Sequence, residues 1–428
     1  MYRSVFALAI ATLLTPSSVA AQYPEIDAAV ERILPEITRI RHHLHQHPEL
    51  GNREFETARL VAEYLSELGF DVVQTGVAHT GVVAVLAGGK PGPVVALRAD
   101  MDALPVTEDT PYPWKSTVRA TYLGQEVGVS HACGHDLHTA VQLGAANVLA
   151  QMRDELPGTV VFIFQPAEEG PPPGEEGGAA LMVEEGVLRD PDPEAIFGLH
   201  TLWNMPVGMV GYTPGPALAA ADQFTIVIRG TGAHGASPHL SADPIVMASQ
   251  SVTMLQTIRS RNMDPMEPGV VSVGLMRGGT RWNIIPEEVE LQGTVRTYSK
   301  EMQDLVERRM HEILAGITAA GGGSYELEYV KGIPVTINDV ALSTQMAPTL
   351  AKVVGEENVR VLQPATVAED FSYFANEIPG FYYRLGTLKP GTTSGNHHTP
   401  TFQADDGAIP VGIRAMAYLV WDYLEGGP

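Results

Sequence analysis

The chain has 428 residues and a formal net charge of −23, and 44% of its residues are hydrophobic. This length and composition predict a globular protein of two or three domains. The acidity is spread along the chain and argues against nucleic acid as a partner, because neutralising phosphates requires clustered Lys and Arg.

The first 21 residues have the pattern of a secretory signal peptide. A basic start that contains Arg3 precedes an apolar stretch over residues 5–14, and small residues follow before Ala21. The apolar stretch is too short for a permanent membrane span. We therefore expect cleavage near Ala21 or Gln22 and a periplasmic or secreted mature protein that is not bound to membrane. An uncleaved anchor is the alternative.

The next part of the chain alternates between helix and strand patterns. Helical spacing of apolar residues predicts helices, and short apolar runs predict strands. The predicted helices span residues 23–47, 54–68 and 139–156, and the predicted strands span 81–86, 93–97, 159–164 and 195–199. This alternation predicts an α/β domain with a largely parallel sheet.

The pattern changes after about residue 219. Strand, helix, strand, strand, helix and strand are predicted over residues 224–229, 244–259, 270–276, 287–297, 300–320 and 325–330. This is the β-α-β-β-α-β order of a ferredoxin-like α+β domain. The sequence therefore predicts a catalytic domain of residues 22–216 and 335–428, interrupted by an inserted domain of residues 217–334.

Residues 131–138 read His-Ala-Cys-Gly-His-Asp-Leu-His and contain the only cysteine, Cys133. A thiolate and an imidazole are side chains that a divalent transition metal prefers, although a polar loop with a free thiol is the alternative. Asp100, the pair Glu168 and Glu169, and His200 each follow a predicted strand. Open α/β sheets bind ligands beyond the carboxyl ends of their strands, so we expect these groups to converge.

The adjacent glutamates suit a hydrolytic metal site. Neighbouring residues in an extended turn point in different directions. One carboxylate can therefore bind a metal while the other takes a proton from water, whose pKa a metal lowers towards about 7. Considered alone, Glu168 and Glu169 would be a solvated pair, His200 a core histidine, and His397 with His398 a surface pair. The combination favours a metal site.

Ten segments, in order over nearly the whole mature chain, resemble the M20 metallopeptidase family. The resemblance is closer to its amidohydrolase branch, which contains N-acyl-amino-acid, hippurate and auxin-conjugate hydrolases. The matching segments are residues 44–50, 98–105, 131–138, 165–170, 198–200, 230–235, 283–286, 293–296, 368–371 and 398–400. The resemblance implies a catalytic domain with the fold of the zinc exopeptidases and an inserted lid domain that also mediates dimerisation.

The resemblance also implies a site for two divalent metal ions. The implied ligands are Cys133, His135, Glu169, His200 and His398. Cys133 corresponds to the bridging ligand, which is an aspartate in the wider family. Zn or Mn is expected and Co or Ni is an alternative, because a mixed thiolate, imidazole and carboxylate set does not choose among them.

Further residues receive roles from the same resemblance. Glu168 corresponds to the general base. Arg98 stands where the wider family has a metal-binding histidine, and Asp100 is expected to orient a ligand without binding metal itself. The histidines at positions 42, 43, 45 and 47 receive no role, and we interpret them as a solvated helix end.

The inserted domain is expected to contribute to the site as well. His234 corresponds to a residue that stabilises the oxyanion, often by reaching across a dimer. Asn283 and Arg296 correspond to groups that hold the substrate carboxylate, a task that suits a guanidinium. A strand-end Asn and a surface Arg are the alternatives.

The sequence thus predicts a secreted, metal-dependent amidohydrolase that cleaves N-acyl or N-aminoacyl amino acids. A dipeptidase or carboxypeptidase of the same fold is the alternative, and a non-catalytic binding protein is an alternative of another class. A zinc-dependent nucleobase deaminase needs a second cysteine, which this chain lacks. Three prolines at 171–173 depart from the family's usual glycine-rich loop beside the site. The sequence therefore predicts the type of reaction more firmly than the preferred substrate.

Overall fold

The computed structural model describes residues 23–426. The helices are α1 Pro24–Gln46, α2 Phe55–Glu67, α3 His135–Gln151, α4 Gly178–Glu184, α5 Pro244–Thr257, α6 Lys300–Gly321, α7 Val340–Val354, α8 Ser372–Ala375 and α9 Ala408–Leu424. The predicted signal peptide, residues 1–21, lies outside the described residues. Over residues 23–426, no helix combines the length and apolar character needed to cross a membrane.

The strands form one large sheet, one four-stranded sheet and three short pairs. They are β1 Val72–Val77, β2 Gly81–Ala87, β3 Lys90–Asp100, β4 Arg119–Tyr122, β5 Gln125–Gly128, β6 Pro157–Gln165, β7 Ala195–Pro206, β8 Val210–Tyr212, β9 Gly215–Leu218, β10 Ala220–Arg229, β11 Ala233–His234, β12 Val270–Gly278, β13 Ile284–Ile285, β14 Glu288–Thr297, β15 Ser324–Ile333, β16 Thr336–Asn338, β17 Val359–Val361 and β18 Gly380–Leu388.

The large sheet has the strand order β1-β2-β6-β3-β7-β18-β8-β17. Its central strands β6, β3, β7 and β18 are mutually parallel, and antiparallel strands flank them. The prediction of an α/β fold with a mostly parallel sheet is therefore confirmed. Parallel strands end at the same edge of a sheet, so the polar residues after β3 and β6 meet at one edge.

The central strands are buried on both faces, as β6 illustrates. Val160, Phe162 and Phe164 pack into the core that contains α1, α3 and α9. Val161 and Ile163 point to the opposite face, where α4 and α8 cover them. Successive side chains of a strand alternate between faces, so burial on both sides produces the continuous apolar run seen in the sequence.

The four-stranded sheet is antiparallel, with the order β12-β14-β10-β15. It has its own apolar core, to which α5 and α6 contribute. The order along the chain is β-α-β-β-α-β, so the predicted ferredoxin-like arrangement is present. The two chain segments that connect this sheet with the large one lie together, because β9 pairs with β16. The residue bounds of the two domains stay a prediction.

Helix α3 begins earlier than the sequence predicts, at His135 and not at residue 139, and it ends at Gln151. Every residue from His135 to Leu149 is buried. A helix that is buried on all sides has no apolar stripe to mark its first turn. Half of the metal-motif octapeptide therefore belongs to the helix, and the predicted start was wrong.

The interpretation of the histidines near residue 45 as a solvated helix end was wrong for His45. His43 and His47 are exposed, but His45 is buried together with Arg41, one helical turn earlier. The Nδ1 of His45 lies 3.0 Å from Asp136 Oδ2, and its Nε2 lies 3.1 Å from Glu108 Oε1. The helix end docks on α3, and the two carboxylates compensate the buried histidine.

Candidate metal centre

A tight turn before α3 places Cys133 and His135. Gly134 between them has φ of 90°. A Cβ atom at this position would lie 2.8 Å from Thr201 Oγ1 on β7, so only glycine fits without a shift. The Thr201 hydroxyl donates to the carbonyl of Cys133 over 2.8 Å. The turn therefore presses the Cys133 segment against β7, the strand that carries His200.

A second constrained turn follows β6 and orients the two glutamates. Ala167 has φ of 49°, an uncommon value for a residue with a Cβ. Its N–H donates to Glu54 Oε1 over 2.9 Å, and the N–H of Glu169 donates to Asp102 Oδ2 over 3.0 Å. These bonds fix the turn. Strained backbone held by its surroundings is common at functional sites.

The two carboxylates of this turn face different histidines. Glu168 Oε2 lies 3.8 Å from His135 Nε2. Glu169 Oε1 lies 2.9 Å from His398 Nε2. His398 is held over the site because its N–H donates to the carbonyl of Ala132 over 2.9 Å. Each carboxylate thus has a different nearest histidine, while Glu168, Glu169 and His135 each place one donor atom within 4.8 Å of the other two.

The donor atoms of the predicted ligands converge. Two groups, Cys133 with His135 and His200, and Cys133 with Glu169 and His398, each have all their donor atoms within 4.8 Å of one another. Cys133 Sγ lies 3.3 Å from His200 Nε2. Cys133 belongs to both groups, which is the geometry that a bridging position requires. The five side chains are thus brought together, and their roles as ligands stay predictions.

The donor set fits a divalent cation. His135 Nε2 is buried and has no hydrogen-bond partner within residues 23–426, a situation that costs about 1–3 kcal/mol. Burial, reinforced by the neighbouring glutamates, raises the pKa of the Cys133 thiol well above its usual range. Burial also lowers the pKa of His200 well below its usual range, which leaves this imidazole neutral and able to bind metal.

Behind the donors, buried polar groups fix the rings of two histidines. The Nδ1 of His138 lies 2.5 Å from Asp100 Oδ1, and its Nε2 accepts from the Thr201 N–H over 2.9 Å. Both ring nitrogens of His138 are therefore used. The Nδ1 of His135 lies 3.2 Å from Asp102 Oδ1 and 3.8 Å from Asp100 Oδ1. Asp102, to which the sequence analysis gave no role, is thus the nearer carboxylate to this candidate ligand.

Arg98 is completely buried and fully paired. Its guanidinium donates to Asp100 over 2.7 Å and to Asp370 over 2.9 Å, and it lies 2.9 Å from Glu369. It also donates to Gln165 Oε1 over 2.7 Å. Sequence reasoning missed the two acidic residues as members of the site, although residues 368–371 were among the matching segments.

A cleft of about 760 Å³ opens beside the donor set. Cys133, Glu168, Glu169, His200 and His398 line one side of it. The remaining wall is largely apolar, with contributions from Leu202, Trp203, Met205, Met209, Tyr212 and Leu362. The cleft can therefore hold an organic molecule much larger than an acetyl group next to the donors.

The three functional residues predicted in the inserted domain lie elsewhere. Within the described chain, no residue of the four-stranded sheet or of α5 and α6 lines the cleft. His234 is exposed, and Asn283 adjoins it, because β11 pairs with β13 and the Gly235 N–H donates to the Asn283 carbonyl. Arg296 is half-buried on β14 and donates to Thr294. Their roles stay predictions.

Comparisons with known proteins agree with the geometry. Residues 96–422 match the model of Peptidase family M20/M25/M40. The chain is 40% identical to N-acetyl-L-cysteine deacetylase of Bacillus subtilis, over 89% of this chain and 85% of the relative. It is 37% identical to Thermostable carboxypeptidase 2 of Saccharolobus solfataricus, over 91% and 96%. A solved dinuclear metal-binding M20 peptidase from B. subtilis has a TM-score of 0.77 at 35% identity, covering 92% of this chain and 99% of that one.

Proposed function

The chain belongs to Peptidase family M20/M25/M40, and from that membership we propose that it hydrolyses N-acyl or N-aminoacyl amino acids and releases a free amino acid. Its enzyme class is that of a metal-dependent amidohydrolase or peptidase. The observation that carries the proposal is the placement of Glu168 and Glu169 among the donor atoms, with a different nearest histidine for each. One carboxylate faces His398 within the donor set, and the other stands beside that set, facing His135.

Each protein group has a chemical task in the proposed reaction. Cys133, His135, Glu169, His200 and His398 would hold the two cations. When bound, the cations would polarise the scissile carbonyl and lower the pKa of the attacking water. Glu168 accepts the proton of that water and delivers it to the leaving amine. Burial, with Glu369 and Glu169 nearby, raises the pKa of Glu168, the direction that a general base requires.

We extend the proposal to the inserted domain and to assembly. His234 stabilises the oxyanion, and Asn283 with Arg296 holds the substrate carboxylate. These residues do not line the cleft of their own chain, so they act after a movement of the inserted domain or from a second copy of the chain. A homodimer formed through the inserted domain supplies the second route.

The metal and the compartment are part of the same proposal. Zn or Mn is the proposed metal, with Co or Ni able to substitute, and the support is the mixed sulfur, nitrogen and oxygen donor set. The proposed location is periplasmic or secreted, and the support is the signal-peptide pattern of residues 1–21. No association of the mature protein with membrane or nucleic acid is proposed.

A carboxypeptidase or dipeptidase is the second candidate. The similarity to a protein named as a carboxypeptidase favours it. Both candidates require the same donor set and the same base. They differ in which group on the nitrogen of the released amino acid is preferred, a simple acyl group for the first candidate and an aminoacyl or peptidyl group for the second.

A substrate panel tests the proposal. The mature protein, loaded with Zn or Mn, is given N-acetyl and N-benzoyl amino acids and dipeptides, and the release of free amino acid is measured. We expect metal-dependent turnover that a chelator abolishes, with N-acyl substrates preferred over dipeptides. A preference for dipeptides would select the second candidate. Absence of turnover on the whole panel, with metal bound, would contradict the proposed reaction.

A further inference from the structure

We propose that Arg384 binds a carboxylate of the substrate and makes the enzyme selective for substrates that carry one. The inference rests on the proposed function, because it concerns the molecule that occupies the cleft next to the donor set. Arg384 lies outside the ten segments that resemble the M20 family.

The position of Arg384 follows from the register of the large sheet. Arg384 on β18 is the partner of His200 on the parallel strand β7. Its side chain lies on the same face as that of Tyr382, and its guanidinium carbon lies 5.6 Å from the centre of the Tyr382 ring. Both side chains line the cleft. The charge of Arg384 is close enough to His200 and His397 to disfavour their protonation.

Arg384 has no ionic partner of its own. Within residues 23–426, no carboxylate lies within 4.0 Å of its guanidinium, and its side chain makes no hydrogen bond. Arg98 on β3, two strands away from β18 in the large sheet, has three carboxylate partners. The lack of a carboxylate partner within the described residues sets Arg384 apart from Arg98. A half-buried guanidinium normally pairs with an acidic side chain, and this chain has a net charge of −23.

The surroundings of Arg384 suit an anion that arrives with the substrate. Arg384 is the only Lys or Arg among the described residues that line the cleft. On its other side its strand partner is Gly211 on β8, and a Cβ there would lie 2.7 Å from Leu362 and 3.1 Å from Met205. These apolar side chains therefore cover the strand next to the guanidinium. A charged hydrogen bond is stronger where water is excluded, and the fork of donors matches a carboxylate.

Two parts of the substrate could supply the carboxylate. One is the α-carboxylate of the amino acid that is released, and the other is a carboxyl group on the acyl portion, as in a succinyl group. The chemistry at Arg384 is the same in both cases. Three methionine derivatives separate them: N-acetylmethionine has only the α-carboxylate, N-succinylmethioninamide has only the acyl carboxylate, and N-acetylmethioninamide has neither.

The test compares metal-loaded wild type with Arg384→Gln, Arg384→Lys and the control Arg360→Gln. Arg360 is an exposed arginine on β17 that does not line the cleft, so the control makes the same charge change nearby. We measure kcat/KM with the three substrates. We also measure their binding by calorimetry in the Glu168→Gln background, a readout that does not depend on turnover. Thermal unfolding verifies that each variant is folded.

We expect Arg384→Gln to lose about 10- to 100-fold in kcat/KM and in affinity for the derivative whose carboxylate binds Arg384. This loss corresponds to one hydrogen bond to a charged group. N-acetylmethioninamide should change little, and Arg384→Lys should lie between wild type and Arg384→Gln. The derivative that loses affinity identifies the source of the carboxylate. Equal losses for all three derivatives, or no loss for either carboxylate, would overturn the inference. Failure of wild type to turn over any of them would count against the proposed reaction, while the binding data would still decide the role of Arg384.

Discussion

At the scale of single residues, the site contains two arginines in opposite electrostatic situations. Arg98 is buried and surrounded by Asp100, Glu369 and Asp370. Arg384 lines the cleft and has no such partner within the described chain. Carboxylates of the protein neutralise the positive charge of Arg98, so this residue helps to hold the donor set in place. The charge of Arg384 is available for a ligand.

The candidate ligands could be predicted from the sequence because the segments that contain them resemble those of the M20 family in order and residue type. The supporting residues could not be predicted in this way. Asp370 accepts from Arg98 although 272 positions separate them. Asp102 lies 3.2 Å from His135 Nδ1 and accepts from the Glu169 N–H, although these partners are 33 and 67 positions away along the chain. Such contacts depend on tertiary geometry that no local pattern encodes.

His45 leads to a prediction about stability. Burial opposes its protonation, but Asp136 and Glu108 outweigh burial and raise the pKa of His45 to about 9. The pKa in the folded protein thus exceeds the ordinary value of 6.5. The stabilisation is therefore fully present below about pH 6.5 and is lost as the pH rises through about 9.

The measurement is the free energy of unfolding of metal-loaded wild type and His45→Gln as a function of pH. We expect the advantage of wild type over His45→Gln to shrink by on the order of 3 kcal/mol between about pH 6 and pH 10. His47→Gln, which alters an exposed histidine two residues later, is the control and should track wild type. A constant difference between wild type and His45→Gln over this range would mean that the buried pair does not titrate as described.

At the scale of elements, long and strongly patterned segments were predictable and short ones were not. Helices α1, α2 and α6 and the central strands β3, β6 and β7 overlap their predicted positions, whereas no position was predicted for the central strand β18. Strand β1 was missed because most of its residues are exposed and its apolar residues do not alternate. The hairpin β4–β5 was missed because each strand has only four residues. Short pairs depend on neighbours more than on their own sequence.

His234 lies on the short strand β11, which pairs with β13, and it does not line the cleft of its own chain. If His234 acts across a homodimer, a chain lacking Glu168 and a chain lacking His234 should complement each other. Mixing Glu168→Gln with His234→Ala should then restore about one quarter of the wild-type sites, since half of the dimers are mixed and each has one intact site.

The measurement is the rate of amino acid release after the two variants are mixed and allowed to exchange, compared with each variant alone. Native mass spectrometry establishes that mixed dimers have formed. His239→Ala, at an exposed histidine five residues away, is the control and should remain active by itself. Mixed dimers that stay inactive would show that His234 does not serve the site of another chain.

At the scale of the whole molecule, the two large sheets have separate apolar cores, and the two chain segments that connect them pair through β9 and β16. The fold class followed from the order of predicted elements, and the cleft lies at the strand ends, where such sheets bind ligands. The sequence could not indicate how far the inserted domain stands from the cleft, because that distance depends on the path of two connections and not on any local pattern. The candidate donors lie on or beside the large sheet, and within the described chain no residue of the four-stranded sheet lines the cleft.

In the proposed mechanism, Glu168 carries the proton while neighbouring side chains hold the metal ions. The most direct test measures bound metal and amino acid release in the same preparation of Glu168→Gln, with Glu176→Gln, an exposed member of another glutamate pair, as the control. We predict that Glu168→Gln binds about two equivalents of metal, as wild type does, and that kcat falls by about 100- to 10,000-fold. Undiminished turnover in Glu168→Gln with metal bound would show that Glu168 is not the general base.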